Sequence, residues 1–157
     1  MTSTILVRRR VTSPDPATTR AIGAALGGVA RAGDLICLRG ELGAGKTQLA
    51  KGIAAGLGVT TTVNSPSFVL MAEHVGRVPF FHLDLYRLAD AADVLAGGLL
   101  DERRADGVTV VEWAERLGTT VPAGRLEVAI EGSGDDPRIL EVGATSAEFV
   151  RYLEAIP

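Results

Sequence analysis

Hydrophobic and polar positions change rhythm along this chain, and the changes mark out its elements. ILVRRRV near the start reads as a first, exposed strand. SPDPATT carries the Ser, Asp and Pro of a helix start, and predicts a helix from about Pro16 to Ala30. Gly33-Asp34 turns the chain into an apolar strand, Leu35 to Leu38. Further on, Leu49, Ile53 and Leu57 recur at i, i+4, i+8, one apolar stripe on a helix ending near Gly56 to Gly58. TTTVNSPS is polar and reads as a loop. FVLMAEHV and VPFFHLDLY flank Gly76-Arg77 as a hairpin. ADAADVLAGGLLDERRAD is predicted mostly helical, broken at Gly97-Gly98. VTVVEW is a strand and AERLG a short helical turn. RLEVAIE and RILEVGA flank GSGDDP as a second hairpin, and AEFVRYLEAI closes the chain as an amphipathic helix. Strands alternate with helices at first and pair as hairpins later. That order predicts an α/β fold with a mixed sheet flanked by helices.

Two strands carry acids in different settings. In FFHLDLY, Phe81, Leu83 and Leu85 alternate with His82, Asp84 and Tyr86, which predicts a half-exposed strand with the polar three on one face. VTVVE is nearly continuous and β-branched, as in an interior strand covered on both faces. Its acid, Glu112, comes where the strand leaves the core, the end at which open α/β sheets bind ligands.

Composition narrows the class. A length of 157 residues suits one domain, residues 1–157, and 46% hydrophobic residues suffice for a core. A net charge of −3 argues against a broad basic surface for DNA or RNA backbone. The Arg8 to Arg10 run reads as a solvated strand edge rather than a phosphate site. Cys37, the lone cysteine, sits in the apolar run DLICL and reads as core packing in a reducing compartment. No run approaches the roughly 18 apolar residues of a membrane span, and no signal-peptide core precedes the arginines. A soluble, cytoplasmic protein with no membrane partner is expected.

The chemistry is concentrated in GELGAGKT. Gly40 to Thr47 fits G-x-x-x-x-G-K-[ST] at every position, with an apolar strand before it and an amphipathic helix after it. Such a loop wraps a polyphosphate with backbone N–H groups, and Gly43 and Gly45 permit backbone angles that a side chain would block. The helix start adds its positive dipole end. Lys46 is expected to reach the β- and γ-phosphates, and the Thr47 hydroxyl to ligate Mg²⁺. A second metal partner is normally an acid ending a neighbouring buried strand. Glu112 fits that position better than Asp84, which is assigned a helper's role on the switch side. Two plainer roles stand beside these: a solvated hairpin residue for Asp84 and a helix N-terminal acid for Glu112. His82 reads as a packing or hydrogen-bonding residue, since it has no His or Cys partner at ligand spacing. Trp113 reads equally as a core or lid residue or as a wall of the site. No N-K-x-D or D-x-x-G is present, which argues against a switch GTPase.

GELGAGKT, NSPSF, HLDLYRL and VVEWAERL, in this order and spacing, resemble the bacterial TsaE (YjeE) family over roughly residues 15–140. The resemblance implies a P-loop NTPase fold and an ATPase, or ATP hydrolase, that supports threonylcarbamoyladenosine formation in tRNA. It implies TsaB and TsaD as protein partners, tRNA reached only through their complex, and no transfer of the threonylcarbamoyl group by this chain itself. By the same resemblance Leu42, Gly43, Ala44, Gly45, Lys46 and Thr47 bind nucleotide and Thr47 and Glu112 hold the metal. Asp84 matches the acid of H-x-D-L-Y-R, Ser65-Pro66-Ser67 a switch-like segment, and Arg138 an arginine of the C-terminal hairpin near the nucleotide. Ser67 stands where the family has Thr, and Gln48 where a second Thr often follows. Lys46, Asp84 and Glu112 are the expected catalytic set. Arg87 is open between transition-state charge and an exposed ion pair. Two other functions stay open: a nucleotide-dependent binding module without useful turnover, and a small-molecule kinase.

Overall fold

A computed structural model of the chain describes residues 5–41, 43–64, 71–86 and 105–157. These residues form a seven-stranded mixed sheet in the order β1-β7-β6-β2-β5-β4-β3. The strands are β1 (Val7–Ser13), β2 (Leu35–Arg39), β3 (Met71–His74), β4 (Phe80–Asp84), β5 (Val108–Glu112), β6 (Leu126–Glu131) and β7 (Arg138–Ala144). The central four, β6, β2, β5 and β4, run parallel. Antiparallel strands β7 and β1 extend one side and β3 the other. The mixed sheet and both predicted hairpins are therefore present. The Phe68 to Leu70 part of the first hairpin, and nearly all of the helix predicted after Leu88, fall outside the described residues.

Helix α1 (Pro16–Val29) starts as its sequence dictates. The Asp15 side chain accepts a hydrogen bond from Thr18 N at 2.7 Å, and Pro16 occupies the first turn, where its missing N–H costs nothing. Helix α2 (Lys46–Gly56) follows the glycine loop, and α3 (Val150–Ala155) follows a short 3-10 turn near the C-terminus. The α1 and α2 backbones nearly touch. A Cβ on Gly27 would lie 2.1 Å from the Ile53 carbonyl oxygen, and one on Gly52 2.2 Å from that of Arg20. Gly23 and Gly56 are equally tight, so glycines on both helices are what let the pair approach.

One sheet face packs Ile36, Leu38, Phe80, Val108, Val110 and Val128 against the Leu26, Leu49 and Ile53 stripe of the helices. The other packs Leu35, Cys37, Phe81, Leu83 and Val111 under Ala114 and Leu117 of a 3-10 segment, Ala114–Thr120. Burial raises the Cys37 thiol far above its ordinary range, which fits an inert packing group. Among the strands, β1 is an edge: Arg8 and Arg10 are exposed, and Arg9 donates to the Leu153 and Ile156 carbonyls.

One expectation is corrected. β4 is not half-exposed: Phe80 to Leu83 are all buried, and His82 has no exposed surface. The alternation was real, since Phe81 and Leu83 pack on one face while Phe80 and His82 take the other. That second face lies toward the helix layer, so His82 points into the protein, while Asp84 at the strand end is half-buried and Tyr86 beyond it is exposed.

Candidate nucleotide site

Three C-terminal strand ends deliver the site. β2 runs into Gly40, β5 ends at Glu112, and β4 ends at Asp84, which is paired in register with Glu112. The two acids thus stand side by side on neighbouring parallel strands. Gly40, Gly43 and Gly45 all have positive φ, of 151°, 82° and 110°. A Cβ at Gly40 would meet the Ile130 carbonyl at 2.6 Å, so the loop start is pinned against β6. At Gly43 and Gly45 no heavy atom of the described residues comes within 4 Å of an added Cβ, so among them nothing crowds these two positions of the loop.

Lys46 is only 5% exposed. Its Nζ donates to the carbonyls of Gly40 at 2.5 Å and Glu41 at 2.9 Å, and lies 4.1 Å from the centre of the Trp113 indole. Burial pushes this ammonium below the ordinary lysine range, partly offset by the fields of Glu112, Glu115, Asp84 and Glu41. Trp113 is the sole non-glycine residue with positive φ among those described, at φ 60° and ψ 41°. That conformation costs a residue with a Cβ about 1–2 kcal/mol. The strained turn swings the indole out of the strand line, over Lys46 and against Tyr86, whose ring centre is 4.9 Å away. Trp113 is therefore a wall of the site.

Glu112 is buried at 2% exposure and held from two sides. Thr47 Oγ1 donates to its Oε1 at 3.1 Å, and His82 Nε2 contacts its Oε2 at 2.5 Å. The neighbouring Asp84 accepts from the Tyr86 backbone N–H at 2.9 Å. Arg138 crosses from β7 and donates to the Ala44 carbonyl at 3.0 Å and the Gly43 carbonyl at 3.3 Å. Its remaining contacts, to Asp136 and Gly134, are also carbonyls, so the guanidinium braces the loop's backbone. Leu42, Ser65, Pro66, Ser67 and Arg87 fall outside the described residues.

The donors suit a hard divalent cation. Thr47 and Glu112 present a hydroxyl and a carboxylate in direct contact beside the loop, the oxygen chemistry Mg²⁺ takes alongside phosphates. Sequence reasoning placed Lys46, Thr47 and Glu112 at one site, and the fold brings them together. It read His82 as a packing or hydrogen-bonding residue, as found, but not Glu112 as its partner, because alternation assigns a face but not what covers that face.

A sequence model of the family described as "Threonylcarbamoyl adenosine biosynthesis protein TsaE" matches residues 13–140. The chain belongs to the TsaE family. It is similar to the tRNA threonylcarbamoyladenosine biosynthesis protein TsaE of Bacillus subtilis, 38% identical over 143 residues, covering 90% of this chain and 89% of that one. The Mycobacterium tuberculosis (strain H37Rv) protein of the same description is 43% identical over 138 residues, 82% of each chain. A crystal structure of Bacillus subtilis YdiB superposes with a TM-score of 0.81 at 33% identity, over 97% of this chain and 95% of that one. The TsaE-family assignment carries involvement in threonylcarbamoyladenosine biosynthesis. The fold is the P-loop NTPase fold with a mixed sheet flanked by helices.

Proposed function

We propose that this TsaE-family chain binds and hydrolyses Mg-ATP in support of tRNA threonylcarbamoyladenosine formation, working with TsaB and TsaD in the cytoplasm. The observation that carries this reading is the convergence of Lys46, Thr47 and Glu112 at a glycine loop between β2 and α2. Among the described residues no helix is long and apolar enough to cross a membrane.

On this reading the loop backbone and the start of α2 hold the β- and γ-phosphates. Lys46 exchanges the Gly40 and Glu41 carbonyls for phosphate oxygens and offsets their charge. Thr47 and Glu112 hold Mg²⁺, which when bound neutralises charge on the β- and γ-oxygens. Asp84, one strand over from Glu112, orients the attacking water. Arg138 keeps the loop shaped for the phosphates. Such positioning and electrostatics carry most phosphoryl-transfer catalysis. In the resting arrangement Lys46 is tied to its own loop and capped by Trp113. Turnover by the isolated chain is therefore slow, and partner contact raises it.

The test is multi-cycle tRNA modification reconstituted with TsaB, TsaD and this chain, beside its Lys46→Ala variant. Repeated cycles should need the unmodified chain, and hydrolysis should vanish in the variant. Wild-type turnover by Lys46→Ala would sink the assignment. The tied position of Lys46 also favours a second reading, a nucleotide-dependent binding module without useful turnover. Single-turnover hydrolysis with and without TsaB–TsaD separates the two.

A further inference from the structure

We infer that His82 is the positioning residue for the metal-holding carboxylate: its ring nitrogen tethers Glu112 and so sets the chain's affinity for a divalent cation. The inference deepens the Mg-ATP reading and rests on it.

The geometry is specific. His82 sits mid-way along β4 with no exposed surface, and Glu112 ends the neighbouring strand β5. In the β4–β5 register His82 is level with Val110, two residues before Glu112, so both side chains occupy the same sheet face. The ring meets Glu112 Oε2 at 2.5 Å. A metal-holding carboxylate is an acceptor only, so on the Mg-ATP reading Nε2 is the donor of this contact. Thr47 Oγ1 lies nearer the other carboxylate oxygen, at 3.1 Å from Oε1 against 3.4 Å from Oε2. The His82 contact thus fixes Oε2 within the sheet layer, and Oε1, without a ring partner, leans toward Thr47 and the loop. A glutamate side chain has three rotatable bonds, and a tether at one oxygen removes most of that freedom before a cation arrives.

Among the described residues His82 has no second hydrogen-bond tie. Its Nδ1 is buried and unpartnered among the described residues. Its ring packs 6.0 Å from Phe80. A histidine kept only for packing would be replaceable by an apolar ring, and a buried nitrogen without a partner is unfavourable. The Glu112 contact is what the imidazole supplies that Phe cannot. Loss of such an outer partner typically weakens metal binding about 10–100-fold.

The experiment compares His82→Phe, which keeps a ring and removes the donor, with His82→Gln, which keeps an N–H at similar reach. ADP and ATP binding would be titrated in EDTA and at graded Mg²⁺, with thermal melts run alongside. Expected results are an apparent Mg²⁺ affinity lowered about 10–100-fold in His82→Phe, most of it restored in His82→Gln, and nucleotide affinity in EDTA nearly unchanged. Unaltered Mg²⁺ dependence in His82→Phe overturns the inference. So does an equal loss in EDTA, or a glutamine variant no better than phenylalanine. Should His82→Phe fail to fold, the unmodified protein decides. Its His82 ring NMR signals should move when Mg²⁺ is added to the nucleotide complex, and signals that stay put overturn the inference. If the unmodified chain shows no Mg²⁺-dependent nucleotide binding at all, the Mg-ATP reading fails first and takes this one with it.

Discussion

Gly27 and Gly28 are neighbours on α1, and alanine should act oppositely at the two. At Gly27 an added Cβ meets the Ile53 carbonyl oxygen at 2.1 Å and the Gly56 Cα at 3.0 Å. Both atoms are backbone and cannot swing away, so α2 must shift by about an ångström to restore ordinary contact. Overpacking of this kind costs about 1–3 kcal/mol. At Gly28 no atom of the described residues lies within 4 Å, so alanine meets open space among them. Both substitutions share the helix-propensity gain of about 0.5–1 kcal/mol. That gain cancels in the comparison, leaving the overpacking cost as the difference. Gly28→Ala should be slightly more stable than the parent and Gly27→Ala less stable than Gly28→Ala by about 1–3 kcal/mol. For a domain of this size that separates their melting points by roughly 3–10 °C. Urea unfolding at a common m-value, supported by thermal melts, measures it. Because α2 begins with Lys46 and Thr47, Gly27→Ala should also weaken nucleotide binding while Gly28→Ala does not. Equal stabilities for the two variants would refute the claim that these glycines set the distance between the helices.

Trp113 offers another comparison at one position. Alanine and glycine both remove the indole, but only glycine relieves the left-handed backbone, so Trp113→Gly should exceed Trp113→Ala in stability by about 1–2 kcal/mol; equilibrium unfolding that ranks alanine higher would refute the strain. Glu112→Gln should weaken the Mg²⁺ dependence of nucleotide binding more than Asp84→Asn does, since Glu112 accepts from Thr47 beside the phosphate loop; calorimetric titration showing the reverse order would exchange the roles of the two acids. Lys46 gives a pH signature. Burial lowers its pKa, and bound phosphates favour the ammonium, so the complex holds more protons than the free chain. Nucleotide affinity should therefore fall as pH rises through the lowered value, before the ordinary lysine range is reached. In the same window the unfolded chain holds more protons than the folded one, so the Lys46 contribution to stability rises with pH. Dissociation constants between neutral and alkaline pH check the first effect, with a flat profile expected for Lys46→Gln.

Much of the fold and of the site was legible in the sequence. Local rules determined the elements: Asp15 and Pro16 start a helix wherever the helix ends up, and Gly43 and Gly45 supply positive φ through missing side chains. The spacing from Gly40 to Thr47 determined the loop, because its residues are covalent neighbours. Glu112 could be ranked above Asp84 because an unbroken apolar run requires cover on both faces. What the sequence could not determine was which surfaces meet. Alternation in FFHLDLY places His82 and Asp84 on one face, but only the helix cover decides that His82 is dry while Asp84 keeps some exposure. Glu112 and His82 are thirty residues apart in sequence, and strand pairing alone brings them within hydrogen-bond reach. The indole of Trp113 needed both the strained turn and the buried lysine beneath it to become a wall of the site. Backbone preference and periodicity act within a few residues. The pairing of distant strands and the helix cover are set by burial over the whole chain, and that is where the site acquires its hydrogen bonds.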